Sequence, residues 1–215
     1  MILFGVRSPL VVDFEETLHR RSIAIAAAVS IGGLPRLLDR RALVDLADFT
    51  ATAGDSFLAP AFAPLRRQAL WDQAVALGLE PAEALVDPTA ILPRALRIGR
   101  GTYINAGVVI GGLSMLGEGV LINRAASLGH HCVLGDFVSI GPGATLAGNI
   151  HVGEGSLVGA GAVILPNVRI GVAAIISAGA VVRKHVPDGT LMVGNPAMPH
   201  RFSPLRSSLA VEDGE

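Results

Sequence analysis

The sequence predicts a small α/β domain followed by a triangular parallel β-solenoid. Three observations carry this prediction: alternating strand and helix patterns over residues 1–85, an unbroken six-residue repeat in the second half, and a composition dominated by aliphatic residues and glycine. Of the 215 residues, 51% are hydrophobic, only 4% are aromatic and 26 are glycines. A chain this aliphatic is expected to fold around a core rather than remain disordered.

The N-terminal part of the chain alternates strand-like and helix-like segments. Buried strands are predicted at ILFGV, SIAIAAAVS and SFLAP, and amphipathic helices at VVDFEETLHRR and APLRRQALWDQAVALG. Gly78 ends the second helix. Because strands that alternate with helices favour a parallel sheet, we expect a small α/β domain over residues 1–85.

The second half repeats every six residues. From Ile98 to Val182, 15 consecutive hexads begin with Ile, Leu or Val, and the fifth position holds nothing larger than Val except at Ile150. A helix does not repeat in this way, but a short strand followed by a tight corner does, and three such sides close a coil of about 18 residues. First positions are expected to fill the interior and fifth positions to pack the corners.

Glycine and the single cysteine also follow the repeat. Nine second positions are Gly and two are Asn, which predicts left-handed backbone angles there. Cys132 occupies a fifth position and is expected to be a core residue rather than a nucleophile. Weaker hexads begin at Val86, so we assign the solenoid to residues 86–187 and a C-terminal extension with a flexible end to residues 188–215.

Charge and hydropathy exclude several functional classes. Seventeen basic and 18 acidic residues give a formal net charge of −1, which disfavours nucleic acid and anionic membranes as partners. The longest apolar stretch, around residues 22–34, is broken by Ser30 and two glycines, so no membrane span is predicted. The N-terminus lacks the basic and small-residue features of a signal peptide, and we expect a cytoplasmic protein. A mean hydropathy of +0.55 predicts exposed apolar faces that a homotrimer would cover.

The hexapeptide pattern resembles the left-handed β-helix superfamily, most of whose members are trimeric acyltransferases. The domain order and the final VPDGTLMVGNPAMPHRF resemble the branch of sugar acetyltransferases that modify sialic acid or nucleotide-linked 4-amino sugars. The similarity runs through nearly the whole chain and is strongest from Ile122 to Pro196. It implies a left-handed coil, acetyl-CoA as acyl donor, a sugar-like acceptor, no metal, and active sites at the subunit interfaces of a homotrimer.

The stretch SLGHHCVLGDFVSIGPGATLAGN carries the family's core signature. By this resemblance His130 is the general base, and Gly148 is the glycine whose amide faces the thioester oxygen. Their spacing, one full coil, independently predicts the same corner on neighbouring coils, roughly 5 Å apart. His131 stands where the family has Glu or Asp. It could bind substrate instead, or Asp136 at the next corner could supply the charge from an adjacent subunit.

Other positions are assigned to the acyl donor by the same resemblance. Ser139 falls where some members carry a second His near the acetyl group. Ala160 and Ala178 match positions that line CoA, and Pro196 lies in the VGNPA run near the CoA tail. These last three residues are spaced by one coil each and would form a column of small residues if the coil continues. Plain corner packing is the alternative explanation for that column.

The acceptor half departs from the family's pattern. Gly5-Val6-Arg7-Ser8-Pro9 replaces a G-x-G-H-G-like loop, and the second motif, G-[ND]-N-x-x-R, keeps only its arginine. The acceptor contacts expected are Gly5, Arg7, Arg66, Asn123 and His130.

The sequence therefore favours an acyl-CoA-dependent transferase that acylates an amino or hydroxyl group of a sugar or nucleotide-sugar by direct attack, with His130 as base. A non-catalytic trimeric scaffold is the main alternative, favoured by the altered N-terminal loops. A γ-type zinc carbonic anhydrase needs three converging histidines. Only His130, His131 and His151 are candidates for that role.

Overall fold

The computed structural model describes residues 1–200, of which residues 1–81 form the predicted α/β domain. The elements are β1 (Ile2–Phe4), α1 (Val11–Arg20), β2 (Ala27–Ser30), β3 (Leu43–Asp45), β4 (Ser56–Leu58), α2 (Pro64–Ala76) and β5 (Glu80–Pro81). The strands pair in parallel in the order β3-β2-β1-β4-β5. The strands β3 and β5 are too short to show any hydrophobic period in the sequence.

The strand predicted at SIAIAAAVS is shorter than its apolar run. Only Ala27–Ser30 form β2, because β1 is itself short and its partners in β2 are Ala27, Ala28 and Val29. A strand persists only where a neighbour supplies hydrogen bonds, and residues 23–26 precede the point where β1 begins to pair.

The solenoid has three faces of stacked parallel strands, and the fold class predicted from the repeat is confirmed. Face 1 contains β7 (Arg97–Ile98), β10 (Met115–Leu116), β13 (Val133–Leu134), β16 (His151–Val152) and β19 (Arg169–Ile170). Face 2 contains β6 (Leu85–Val86), β8 (Tyr103–Ile104), β11 (Leu121–Ile122), β14 (Ser139–Ile140), β17 (Leu157–Val158), β20 (Ile175–Ile176), β22 (Leu191–Val193) and β23 (Met198–His200). Face 3 contains β9 (Val109–Ile110), β12 (Ser127–Leu128), β15 (Thr145–Leu146), β18 (Val163–Ile164) and β21 (Val181–Val182).

The interior is filled as the repeat predicts. First-position residues from Ile104 to Val182 and fifth-position residues from Thr102 onward are all buried. Cys132 is fully buried among them, and this burial raises the pKa of its thiol. A protonated, enclosed thiol fits the core role expected for it.

The reason given for the second-position glycines was wrong. Left-handed backbone angles occur instead at fourth positions, including Gly101, Gly107 and His131. Second-position glycines are needed for space: a Cβ on Gly111 would lie 2.5 Å from the amide nitrogen of His130, on the next coil. Close stacking of the coils therefore excludes a side chain at these positions.

The last coil is shorter than the others. Val152 pairs with Ile170 at the regular spacing of one coil, whereas Ile170 pairs with Val186, which comes too early in the chain for that spacing. Val186 therefore takes the place of a first position, rather than the fifth position of the hexad that begins at Val182. The chain ends its described part in β22 and β23, which pair in antiparallel fashion, so the coil does not continue through Pro196. The spacing argument that added Pro196 to the column of Ala160 and Ala178 was wrong.

The α/β domain packs on the first coils of face 2. Arg67 of α2 is 2% exposed and donates hydrogen bonds to the carbonyl oxygens of Gly119 (2.6 Å) and Phe137 (2.7 Å) in the solenoid. Trp71 meets the ring of Phe137 edge-on, with ring centroids 5.3 Å apart. These contacts hold the α/β domain in a fixed position on the solenoid.

No helix within residues 1–200 has the length and apolar character needed to cross a bilayer. The flexible end expected for the C-terminal extension concerns residues 201–215, which lie outside the described residues.

Candidate active site

His130 and Gly148 lie on one corner of neighbouring coils, between face 3 and face 1, as their spacing predicts. The amide of Asn149 donates to the carbonyl oxygen of His130 (2.8 Å), which joins the two coils at this point. The imidazole lies directly over Gly148: a Cβ there would be 2.7 Å from Cε1 and 2.8 Å from Nε2 of His130. Only glycine leaves room for the ring. We call residues 112–113, 130–131, 148–149 and 166–167 the His130 corner.

The backbone of Gly148 has an unused donor beside the imidazole. Its carbonyl oxygen accepts a hydrogen bond from the amide of Asn167 (3.1 Å), but no acceptor within residues 1–200 pairs with its own amide N–H. A fixed N–H beside a basic nitrogen can stabilise an oxyanion that forms next to it.

His131 contacts His130 directly. The two Nδ1 atoms are 2.9 Å apart, and the rings meet edge-on with centroids 5.0 Å apart. His131 has φ = 57°, so it holds the left-handed conformation that glycine adopts at other fourth positions, such as Gly143 and Gly161. Both histidine side chains are exposed to solvent.

Ala160 and Ala178 lie on a different corner, between face 2 and face 3. The amide of Gly179 donates to the carbonyl oxygen of Ala160 (2.8 Å), so the two alanines are one coil apart, and both are exposed. We call residues 106–107, 124–125, 142–143, 160–161 and 178–179 the Ala160 corner. Pro196 follows β22, next to Ala197, whose amide donates to the carbonyl oxygen of Val181 (2.8 Å). Within one chain, Ala160, Ala178 and Pro196 are therefore not on the corner that carries His130.

Ser139 is not on the surface. It is fully buried beneath the α/β domain, and its hydroxyl donates to the carbonyl oxygen of Phe62 (2.6 Å). The family position that some members fill with histidine is thus used here for domain packing, and the contact with an acetyl group predicted for Ser139 does not fit this geometry.

The first of the two segments predicted to contact the acceptor follows β1. Gly5 has φ = 86°, and a Cβ there would lie 2.5 Å from Leu70 of α2, so glycine meets both a backbone and a space requirement. Arg7 is exposed and lines a cavity of about 210 Å³ together with Gly33, Leu34 and Arg36. Two guanidinium groups at the carboxyl ends of parallel strands suit an anionic ligand.

Of the two neighbouring arginines in α2, Arg66 was expected to contact the acceptor and Arg67 was overlooked. Arg66 is exposed, whereas Arg67 is buried and also donates to the carbonyl oxygen of Ala61 (2.7 Å). Burial lowers the pKa of Arg67 to about 9. Its spacing from Leu70 and Ala74, which are also buried, was the available signal, since these positions share one helix face.

Asn123 belongs to a polar network beside the acceptor loop. Its side-chain oxygen accepts hydrogen bonds from the Asn105 side chain (2.9 Å) and the Arg124 amide (2.8 Å). Asn105 and Arg124 both also contact Asp13, in the first turn of α1. The network joins the start of α1 to the Ala160 corner.

A basic depression lies at the far end of the His130 corner. It has a volume of about 510 Å³ and is lined by Pro166, Asn167, Val168, Arg183, Lys184 and His185. Three coil steps separate Lys184 from His130, or roughly 14 Å along the axis. The Arg-Lys-His run was visible in the sequence, and the regular spacing of 18 residues already places Lys184 one coil after Pro166. The shortened last coil adds a hydrogen bond from the Arg169 amide to Nδ1 of His185 (3.1 Å).

No three His, Cys, Asp or Glu side chains of residues 1–200 cluster in a way that could hold a metal ion.

Comparison with known proteins adds relatives of known structure. No protein-family model matches the chain, and neither does any curated protein. PerB from Caulobacter crescentus, solved with CoA and GDP-perosamine, is 29% identical with a TM-score of 0.76 over 93% of this chain and 95% of that one. WeeI from Acinetobacter baumannii AYE is 26% identical, with a TM-score of 0.76 over 93% and 100%.

A third relative carries the acyl donor itself. The acetyltransferase domain of PglB from Neisseria gonorrhoeae FA1090, in complex with acetyl coenzyme A, is 27% identical, with a TM-score of 0.73 over 93% of this chain and 98% of that domain. In domain order and solenoid the chain is therefore similar to sugar acetyltransferases of the left-handed β-helix type, several of which were solved with CoA or acetyl-CoA, and this similarity supports an acyltransferase.

Proposed function

We propose that this protein transfers an acetyl group from acetyl-CoA to the amino group of a nucleotide-linked amino sugar. One observation carries the proposal: an exposed imidazole lies over a glycine whose amide N–H is unused. The relatives support the choice of substrates, since PerB was solved with CoA and GDP-perosamine, and a perosamine N-acetyltransferase variant from the same organism was solved with the same two ligands.

The chemistry needs no covalent bond to the enzyme. As the amine attacks the thioester carbonyl, Nε2 of His130 accepts the proton that the nitrogen loses. The Gly148 N–H donates to the carbonyl oxygen while that oxygen carries negative charge. When the carbon–sulfur bond breaks, the imidazolium of His130 returns its proton to the departing thiolate. The products are the amide and free CoA.

We propose a homotrimer in which each site uses two chains. The base lies on the His130 corner, whereas the acceptor network and the small residues Ala160 and Ala178 lie on the Ala160 corner. Face 3 separates these corners, and its outward residues carry no charge; they are Val109, Ser127, Thr145, Val163 and Val181. Packing three copies about an axis would bring the His130 corner of one chain against the Ala160 corner of the next.

The donor would then lie along both corners. Its thioester would reach His130 and Gly148, its pantetheine arm would pass the exposed backbone at Ala160 and Ala178, and its phosphates would meet Arg183 and Lys184. An extended pantetheine arm spans the roughly 14 Å between His130 and Lys184. Basic side chains at that distance supply the charge that the phosphates require.

The phosphates of the acceptor nucleotide are assigned to the cavity of Arg7 and Arg36. This cavity lies beyond the carboxyl ends of β1 and β2, the edge where parallel sheets bind ligands. It contains arginines in place of the missing glycine-rich loop, so charge would replace backbone amides in holding the phosphates.

The test is release of CoA thiol from acetyl-CoA with a panel of nucleotide-linked 4-amino sugars, each compared with the free sugar and with a hydroxyl analogue. We expect release with at least one nucleotide-linked amine and N-acetyl product by mass spectrometry. Purified protein that binds neither CoA nor any of these acceptors in calorimetry, and releases no thiol, would refute the proposal and favour the non-catalytic scaffold.

A further inference from the structure

His131 occupies the position next to the base where a carboxylate was expected, and its contact with His130 suggests how it acts. We infer that His131 is a positioning residue: its Nδ1 accepts the Nδ1–H of His130 and so holds His130 in the tautomer whose Nε2 is free to accept a proton. This inference rests on the proposed function, since it concerns the base of that reaction.

The number of hydrogens at the contact supports this role. A neutral imidazole has one N–H and one acceptor nitrogen, so two Nδ1 atoms 2.9 Å apart need one hydrogen between them. If the hydrogen belongs to His130, its Nε2 keeps a lone pair. If it belongs to His131, the Nε2 of His130 must carry the proton and cannot act as a base.

The surroundings of Nε2 favour the first arrangement. This nitrogen lies over Gly148, where a Cβ would be 2.8 Å from it, and no residue of 1–200 accepts the amide N–H of that glycine. A lone pair on Nε2 would lie near the place where the Gly148 N–H polarises the thioester carbonyl. Proton removal and oxyanion stabilisation would then occur at the same place. An N–H at the same position would present a second donor and leave the attacking amine without an acceptor.

The backbone explains why the rings can meet. Side chains of successive residues in a strand point to opposite sides. At this corner His131 has φ = 57°, and the turn brings its ring edge-on to that of His130. Within one chain Asp136 lies on a different corner, between face 1 and face 2, where its Oδ1 accepts the amide of Glu118 (2.7 Å). A contribution of Asp136 from an adjacent subunit stays a prediction.

Two substitutions separate the hydrogen bond from the fold. His131→Gly removes the acceptor and suits the left-handed backbone, so the coil should remain intact. His131→Asp restores an acceptor and places there one of the two residues the family uses. We expect kcat to fall about 10- to 100-fold in His131→Gly, with KM for the acceptor and Kd for CoA nearly unchanged, and to recover most of that loss in His131→Asp. Ala173→Gly, another exposed fourth position with φ = 51°, is the matched backbone control and should keep wild-type activity.

The second readout does not depend on activity. In protein with ¹⁵N-labelled histidine, the two ring nitrogens of His130 should show a dominant Nδ1–H form in the wild type and a mixture of tautomers in His131→Gly. An active wild type whose His131→Gly variant keeps full kcat, or keeps the Nδ1–H form, would overturn the inference while leaving the proposed function intact. So would a His131→Asp variant no more active than His131→Gly. A wild type with no transferase activity would refute the proposed function instead, and the NMR measurement would still decide whether the pair shares a proton as inferred.

Discussion

The His130 corner and the Ala160 corner are built by the same repeat and flank the same face, yet they offer opposite surfaces. On the Ala160 corner the fourth positions are Gly107, Ala125, Gly143, Gly161 and Gly179, so four of five carry no side chain. On the His130 corner the first four fourth positions all carry side chains, and all four are left-handed; they are Leu113, His131, Asn149 and Asn167. At the fourth positions, therefore, the Ala160 corner presents mainly backbone and the His130 corner presents side chains.

The difference shows where the repeat leaves freedom. First and fifth positions are fixed by the interior and the second-position glycines by the stacking of coils, so the outward third, fourth and sixth positions are the ones free to vary with function. A left-handed conformation costs an ordinary residue about 1 kcal/mol, and Asn tolerates it better. His131 holds this left-handed conformation although glycine would adopt it without strain. Such strain is typical of positions where a side chain is needed for chemistry.

The largest expected effect comes from making the His130 corner chemically inert. His130→Ala should lower kcat by about 10²- to 10⁴-fold, the range for removal of a general base, with little change in CoA affinity. Steady-state kinetics together with calorimetry of CoA binding measure both quantities. A free amine is nucleophilic without help, so part of the rate should return at pH values that deprotonate the acceptor. Wild-type rates at every pH would show that His130 is not the base.

A smaller effect should follow from crowding the ring rather than deleting it. In Gly148→Ala the new Cβ would lie 2.7 Å from Cε1 of His130, so the imidazole must move away from the Gly148 amide. We expect kcat to fall about 10- to 100-fold, because misplacing a base by about 1 Å has costs of this order. Gly112→Ala is the matched control: it is the third position of the same corner two coils before Gly148, and nothing lies within 4 Å of its added Cβ. Equal losses in both variants would mean that the corner, not the ring contact, is sensitive.

Much of this comparison could be predicted from sequence, and the missing parts have physical causes. The period gives the fold, the inward residues and the shared corner of His130 and Gly148, because these depend only on spacing. The contact of His131 with His130 depends on a left-handed angle at the fourth position, which composition had assigned to the second. The prediction that Pro196 continues the column of Ala160 and Ala178 failed because of register. The last coil is shortened between Val182 and Val186, so every later residue has a different neighbour from the one that a spacing of 18 predicts.

Partners distant in sequence were also out of reach. Ser139 and Arg67 are polar residues whose acceptors are carbonyl oxygens of another domain, and no periodicity records such a contact. Both side chains are buried because they lie at the interface between the two domains. In the solenoid alone, Ser139 would face outward. The acceptor half is therefore less predictable than the acyl half, because its recognition depends on packing between domains.

At Ala160 and Ala178, the Ala160 corner should matter by carrying no large side chain. Ala178→Trp places a large side chain on an exposed corner, so the fold should persist while CoA affinity falls about tenfold, or roughly 1.4 kcal/mol. Glu154→Trp puts the same bulk at the third position of the corner between face 1 and face 2, and calorimetry should give wild-type affinity for it. Unchanged CoA affinity in a folded Ala178→Trp variant would remove the donor from this corner.

Mixing variants then tests whether the two corners act across chains. In a homotrimer of either variant, His130→Ala or Ala178→Trp, every site is damaged. Activity is measured at subsaturating acetyl-CoA, where weaker CoA binding lowers the rate. If chains assemble at random from an equal mixture refolded together, about one interface in four joins an intact His130 corner to an intact Ala160 corner, so about a quarter of wild-type activity should return. A mixture of His130→Ala with the doubly substituted chain has no His130 at any interface and should stay inactive. If the first mixture is no more active than the average of its parents, both corners serve a site within one chain, and light scattering that shows a stable monomer would lead to the same conclusion.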